Sequence, residues 1–160
     1  MVSPYNVSPF KTYGQFLELE KHDYENAVRY YKIASLLENN VEPYILLSSL
    51  YLKQSLIDKA SEVIKNGLHS FPNNPTLLYF HGTINLSKGK ISDGISNLVN
   101  IINKPDTPND IKIEACHILV DLFLKQNDLN NAKKYNDLIL TINPGDKEAI
   151  KINGHLRDNL

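Results

Sequence analysis

Apolar residues along this chain recur at spacings of three and four and never settle into sustained alternation, so the pattern predicts helices throughout. Between residues 24 and 38 they fall at Ala27, Tyr30, Tyr31, Ala34 and Leu37, a stripe along one helical face. Ser8-Pro9 sets a capping residue before a proline at the first helical position and opens a helix over about 9–20. Further helices are expected over about 24–38, 43–54, 57–69, 76–87, 91–103, 108–126, 129–142 and 146–157. Phe71-Pro72-Asn73-Asn74-Pro75 and Lys104-Pro105-Asp106-Thr107-Pro108 are strong breaks, and Thr107-Pro108 looks like a second cap-then-proline start.

The helical pattern is itself periodic. Ala27, Ala60, Gly94 and Ala132 lie 33, 34 and 38 residues apart, each in the same place within its stripe. A period near 34 residues with a small residue at a fixed slot marks helix pairs that cannot bury their apolar faces alone and must stack on one another. The four extra residues before the last pair are close to one helical turn, about 3.6 residues, and are read as an added turn or longer loop.

The repeated residues resemble the tetratricopeptide repeat, TPR. The second copy gives Tyr44-x2-Leu47-Ser48-x2-Tyr51, then Ala60-x3-Ile64-x2-Gly67 and Pro72. The first gives Phe10-x2-Tyr13-Gly14-x2-Leu17, then Ala27-x3-Tyr31-x2-Ala34. The third gives Leu78-x2-His81-Gly82, then Gly94-x3-Leu98; the fourth gives Cys116-x2-Leu119-Val120-x2-Phe123, then Ala132 and Pro144. The resemblance implies an all-α fold, a right-handed α–α superhelix forming one domain over 1–160. Its repeats are expected at about 8–40, 41–74, 75–107 and 108–145, with a polar capping helix at about 146–158 carrying Lys147, Glu148, Lys151, Arg157 and Asp158. Two departures stand out. His81 and Asn85 replace apolar residues in the third copy, and Gly94 should weaken its second helix by about 1 kcal/mol relative to alanine, making that pair the softest.

The resemblance also implies a concave groove lined by the first helix of each pair, the expected place for a protein partner. The residues that map there are Lys11 and Gln15; Ile45, Ser49 and Lys53; Tyr79, Thr83 and Leu86; and Glu114, His117, Asp121 and Lys125. Apolar anchors among hydrogen-bonding groups suit a peptide or helix held at a few points. A clamp for acidic chaperone tails is not expected. Lys11-x3-Gln15 echoes its first part, but Ile45 or Leu46, Thr76 and Phe80 fill its later slots and bring no positive field.

Composition narrows the chemistry. A net charge of −1 with mixed signs along the chain lacks the basic stripe of a nucleic-acid binder. The start shows neither a basic nor an apolar leader region, and no apolar run approaches the roughly 20 residues of a membrane span. A cytoplasmic protein is expected, without catalytic residues, metal or cofactor. Cys116 falls in a core slot and His81 is read as a satisfied core or interface histidine. The stripe Glu114, His117, Asp121 is the nearest thing to a titratable cluster and is taken as groove lining. Three functional readings follow: a non-enzymatic scaffold or adaptor, a small chaperone for a secreted or assembling client, and self-assembly into a homo-oligomer. For the last, the N-terminal end near Tyr5, Val7 and Phe10 is the candidate contact.

Overall fold

The computed structural model describes residues 8–157. Among the described residues there is no strand, and nine helices follow one another: α1 (Pro9–Leu19), α2 (Tyr24–Leu37), α3 (Glu42–Lys53), α4 (Ile57–Ser70), α5 (Pro75–Ser87), α6 (Ile91–Asn103), α7 (Asn109–Lys125), α8 (Leu129–Ile142) and α9 (Lys147–Arg157). Each odd helix packs on the even helix that follows it, each pair packs on the next, and α9 lies against α8. The first helices also meet across pairs, α3 with α5 and α5 with α7, whereas successive second helices make no comparable contact. The architecture is an α–α superhelical solenoid whose first helices share its tighter side. Tyr5, Val7 and Asp158 lie outside the described residues.

The period seen in the side chains is repeated in the backbone. His22, Ser55, Gly89 and Asn127 all have positive φ, from 54° to 74°, and each sits in the turn between the two helices of a pair. Behind the last three, the N–H groups of Leu56, Lys90 and Asp128 return to the carbonyls of Tyr51, Asn85 and Phe123 at 2.8–2.9 Å. This is the left-handed helix stop that satisfies orphan carbonyls. Caps start several helices: the side chains of Ser8, Asp23, Asn74 and Asp128 each accept the N–H three residues on, at 3.1 Å. The expected Thr107 cap is not formed. Helix α7 begins at Asn109 with Pro108 as its capping residue, and the buried Thr107 hydroxyl has no hydrogen-bond partner among the described residues. The extra residues lengthen α7 to 17 residues, against 11–13 for the other first helices of pairs.

Small residues set how closely the helices of a pair approach. Ala27, Ala60 and Ala132 are completely buried, as is Ser48. A Cβ placed on Gly14 would come within 2.7 Å of the Tyr31 ring, and one on Gly82 within 2.9 Å of Leu98. Gly94 is tighter still: its Cβ would meet Leu86 at 2.4 Å and the Gly82 carbonyl oxygen at 3.1 Å. The reading of the third pair as softened by Gly94 is therefore incomplete. The glycine forgoes helix propensity but admits a side chain and a backbone carbonyl that alanine would push away.

Two apolar clusters fill the array. Leu17, Tyr31, Leu47, Ile64, Leu77 and Ile84 belong to the first, and Leu98, Leu119, Val120, Ile139 and Leu156 to the second. Each such fully buried aliphatic side chain contributes about 1.5–3 kcal/mol. Helix α5 serves both, sending Leu77 and Ile84 one way and Leu78, Tyr79 and Leu86 the other. Cys116 is fully buried in the second cluster, where desolvation pushes its thiol up to about 12 and leaves it a small hydrophobe. The terminal helix is amphipathic: Ala149 and Leu156 are buried, while Lys147, Glu148 and Lys151 are exposed.

Candidate functional site

The groove residues named from the sequence lie on α1, α3, α5 and α7, but they are not equally free to meet a partner. At the N-terminal end the cations are tied to carboxylates of neighbouring helices. Lys11 Nζ lies 2.7 Å from Glu42 Oε2, and Lys53 Nζ lies 2.6 Å from Glu18 Oε1. Glu18 is buried, and its other oxygen accepts from the hydroxyl of the fully buried Tyr31 at 2.8 Å. That hydroxyl is held well above its ordinary value, first by burial and then by the Glu18 carboxylate beside it. Glu38 joins the Lys11 end, where burial raises its carboxyl against the opposing pull of Lys11. These groups form a polar brace from α1 to α2 and α3. Gln15 and Ser49 remain half-buried beside it, and Ile45 packs against the first cluster.

The central part of the surface comes from α5. Tyr79 is half-buried, stands edge-on to Phe80 with ring centroids 5.7 Å apart, and has its hydroxyl raised by burial and by the nearby Glu114 carboxylate. Thr83 satisfies its own hydroxyl by donating to the Phe80 carbonyl at 2.9 Å. Leu86 differs from its expected role as a groove anchor. Its side chain lies over Gly94 in the partner helix and packs into the second cluster.

On α7, Glu114, Asp121 and Lys125 are exposed and make no ion pair among the described residues. His117 has turned away from them. Its Nε2 lies 3.2 Å from Asp146 Oδ2 and its Nδ1 3.9 Å from Glu148 Oε2, so it ties α7 to the start of α9. The stripe Glu114, His117, Asp121 is thus divided between an open surface and a helix junction. Among the described residues no group of three or more His, Cys, Asp or Glu side chains could hold a metal ion.

Asp146 also caps α9. The Ala149 N–H donates to its Oδ1 at 2.9 Å, and this bond, more than the His117 contact, holds its carboxyl below the ordinary value of 3.8. A depressed carboxyl adds stability that is present above its unfolded pKa and lost as pH falls through the folded one. Asp146→Asn keeps an acceptor but loses the charge. It should therefore be less stable than wild type at pH 6, by roughly a few tenths of a kcal/mol given solvent screening. The difference should shrink as pH falls below about 4, the ordinary carboxyl value, and on through the depressed folded one. Urea midpoints of the two proteins at those pH values test this; a gap unchanged at pH 2.5 would show that the charge has no part in it.

Sequence reasoning missed the brace, because it depends on Glu18 and Tyr31 meeting from different helices. It also passed over three crevices on the opposite side of the array, each opening beside a second helix. One lies between α2 and α4 over Tyr44, Leu47 and Tyr51, with a volume of about 390 Å³. A second, of about 270 Å³, lies between α4 and α6 over His81 and Asn85. The third is a shallow hollow along Ile91, Ile95 and Val99 of α6, reaching Gln126.

No family model and no curated protein matches the sequence. Solved structures do. YrrB, described as a TPR protein with an unusual peptide-binding site, superposes with a TM-score of 0.62 at 16% identity, over 88% of this chain and 71% of YrrB. The chain has the tetratricopeptide-repeat fold. MamA from Desulfovibrio magneticus RS-1 superposes on this TPR array with a TM-score of 0.71 at 18% identity, covering 94% of the array and 82% of MamA. The Cut9–Hcn1 hetero-tetramer of the APC/C gives 0.68 at 16% identity over 92% of the array, but only 29% of the matched chain. No helix among the described residues of the array is long and apolar enough to cross a membrane.

Proposed function

We propose that this protein is a non-enzymatic interaction scaffold whose groove receives an extended peptide or helix from a partner protein. Tyr79 serves as the aromatic anchor, and Glu114 and Asp121 receive a cationic side chain of the partner. The observation that carries this reading is the asymmetry of charge along the groove. Lys11 and Lys53 are neutralised by Glu42 and Glu18, whereas Glu114 and Asp121 stand exposed, with Lys125 the one lysine among the groove positions of that helix. The open charge is acidic, which disfavours acidic tails and favours basic segments. The peptide-binding site ascribed to YrrB supports the same use of the fold.

The test is a peptide selected on the wild-type protein from a random library, with its affinity then measured on variants. Tyr79→Ala should weaken binding about 30-fold, the scale of a hot spot worth 2 kcal/mol, measured at a temperature where the variant, which also loses ring contacts in the second cluster, is fully folded. Glu114→Gln/Asp121→Asn should weaken it less and flatten its salt dependence. Equal affinity for all three proteins would place the binding site elsewhere.

A second reading has its own observation. Tyr13, Phe16 and Leu19 on α1 and Ile33, Leu36 and Leu37 on α2 are exposed, Leu36 by 83%. Apolar surface of that kind suits a second copy of the chain or an incompletely folded client, as a chaperone would require. Concentration-dependent sedimentation separates these: a monomer at all concentrations leaves the client reading alone.

A further inference from the structure

The crevice between α4 and α6 differs in kind from its neighbours. The same two slots of the first helix recur in every pair: Tyr13 and Leu17, Leu47 and Tyr51, His81 and Asn85, Leu119 and Phe123. In three pairs these slots are apolar and pack in the clusters or on neighbouring rings. In the third pair alone both are polar, and there the crevice above them is lined by Lys65, Lys88 and Lys90. Polar replacements and cations thus coincide in one place, in a chain whose net charge is −1.

The polar groups are poorly served by the protein. Asn85 is 8% exposed and Ser61 6%, and neither side chain has a hydrogen-bond partner among the described residues. Their polar atoms are not sealed from solvent, so water in the crevice meets them and a ligand's acceptor can take its place. Asn97 Nδ2 donates to His81 Nδ1 at 3.3 Å, so the neutral ring carries its proton on Nε2 and has a donor left to give. Burial first, then Lys65 and Lys90, disfavour a second proton on this ring, while Asp93 at the rim opposes them. Lys88 is already held by Asp58 at 2.6 Å. Lys65 and Lys90 make no ion pair among the described residues, and Asp93 is the single carboxylate in the lining.

We propose that this crevice binds a phosphate group, with Lys65 and Lys90 at its mouth and Ser61, Asn85 and the His81 Nε2–H at its wall and floor. A phosphate oxygen accepts from the hydroxyl, the amide and the ring, and the lysines neutralise its charge. The cavity of about 270 Å³ is open to solvent and has room for inorganic phosphate or a small phosphate monoester. The site lies among the second helices, apart from the groove, and does not depend on the function proposed for that groove.

The test is a 1H–15N NMR titration of the whole chain with sodium phosphate and with glycerol phosphate, against sodium chloride at equal ionic strength. The Asn85 side-chain amide and the backbone of residues 61–65 and 88–97 should shift saturably with phosphate and not with chloride. Lys65→Gln/Lys90→Gln, both surface changes, should raise the Kd at least 10-fold while the melt in chloride stays the same. Lys21→Gln/Lys147→Gln, which removes equal charge elsewhere, should leave the Kd within 2-fold. Asn85→Leu should abolish saturation, with the two-lysine variant standing in if it fails to fold. Similar Kd values for the two probes identify the oxyanion itself as the ligand, and a 10-fold preference for the ester identifies a phosphate monoester. Shifts reproduced by chloride, or an equal loss in the control variant, would overturn the site.

Discussion

Tyr31→Ala should cost about 3–5 kcal/mol, the scale of removing a fully buried aromatic ring. The ring fills the space over Gly14, and the hydroxyl holds the buried Glu18 carboxylate at 2.8 Å. Tyr31→Phe separates these two roles. It keeps the ring but withdraws one of the two groups that satisfy Glu18, leaving a carboxylate about 7% exposed with Lys53 alone. That change should cost about 1–3 kcal/mol. Glu18→Leu in the Tyr31→Phe background should then recover part of the loss, since removing both partners of a buried polar pair is gentler than removing one. Urea denaturation followed by circular dichroism gives all three values. A Tyr31→Phe variant as stable as wild type would mean that the brace between α1, α2 and α3 has no energetic weight.

Gly94→Val should destabilise the third pair by about 1–3 kcal/mol through overpacking. Helix propensity argues the other way, because valine is the better helix former than glycine. Geometry decides the sign. A Cβ at this position lies 2.6 Å from Leu86 Cγ and 3.1 Å from the Gly82 carbonyl oxygen, and neither is the loose end of a flexible chain. Leu86→Ala made together with Gly94→Val should restore a good part of the stability, because it vacates the space the new methyl groups need. Coupling between the two substitutions, measured as a double-mutant cycle, checks the contact directly. Simple additivity would mean that α5 and α6 do not touch here.

Most of the architecture was legible because a repeat prints the same local signals several times. The helix at 91–103 and that at 129–142 fall where stripes and breakers put them, and the others differ by a residue or two at their ends. Thr107 misled because a threonine before a proline has the composition of a cap, whereas the chain turns so as to bury its hydroxyl. The candidate site was less legible. Spacing places Leu86 and His117 on the first helix of a pair, yet Leu86 is drawn over Gly94 and His117 toward the cap of α9, and each depends on a helix that comes later in the sequence. Lys11 and Lys53 are similar cases. Their positions along the helix follow from the sequence, but Glu42 and Glu18, which neutralise them, are 31 and 35 residues away. His81 and Asn85 were visible as departures, although a departure alone does not say whether it faces a neighbour or a cavity.

Helix α5 belongs to both apolar clusters, and this gives the array a bottleneck in its cooperativity. In a linear stack each unit is held by its neighbours alone, so opening starts at an end and spreads until it meets a strong joint. Opening that starts at α9 can consume the second cluster while α1–α4 keep the first, and its spread is decided by whether α5 stays with Leu77 and Ile84 or leaves with Leu78 and Leu86. Whatever immobilises α5 therefore lengthens the cooperative unit. Tyr79 and Asn85 stand on that same helix, so ligands at the groove and at the crevice would draw on one local equilibrium. Each would raise the affinity for the other by the same factor, without any change in shape.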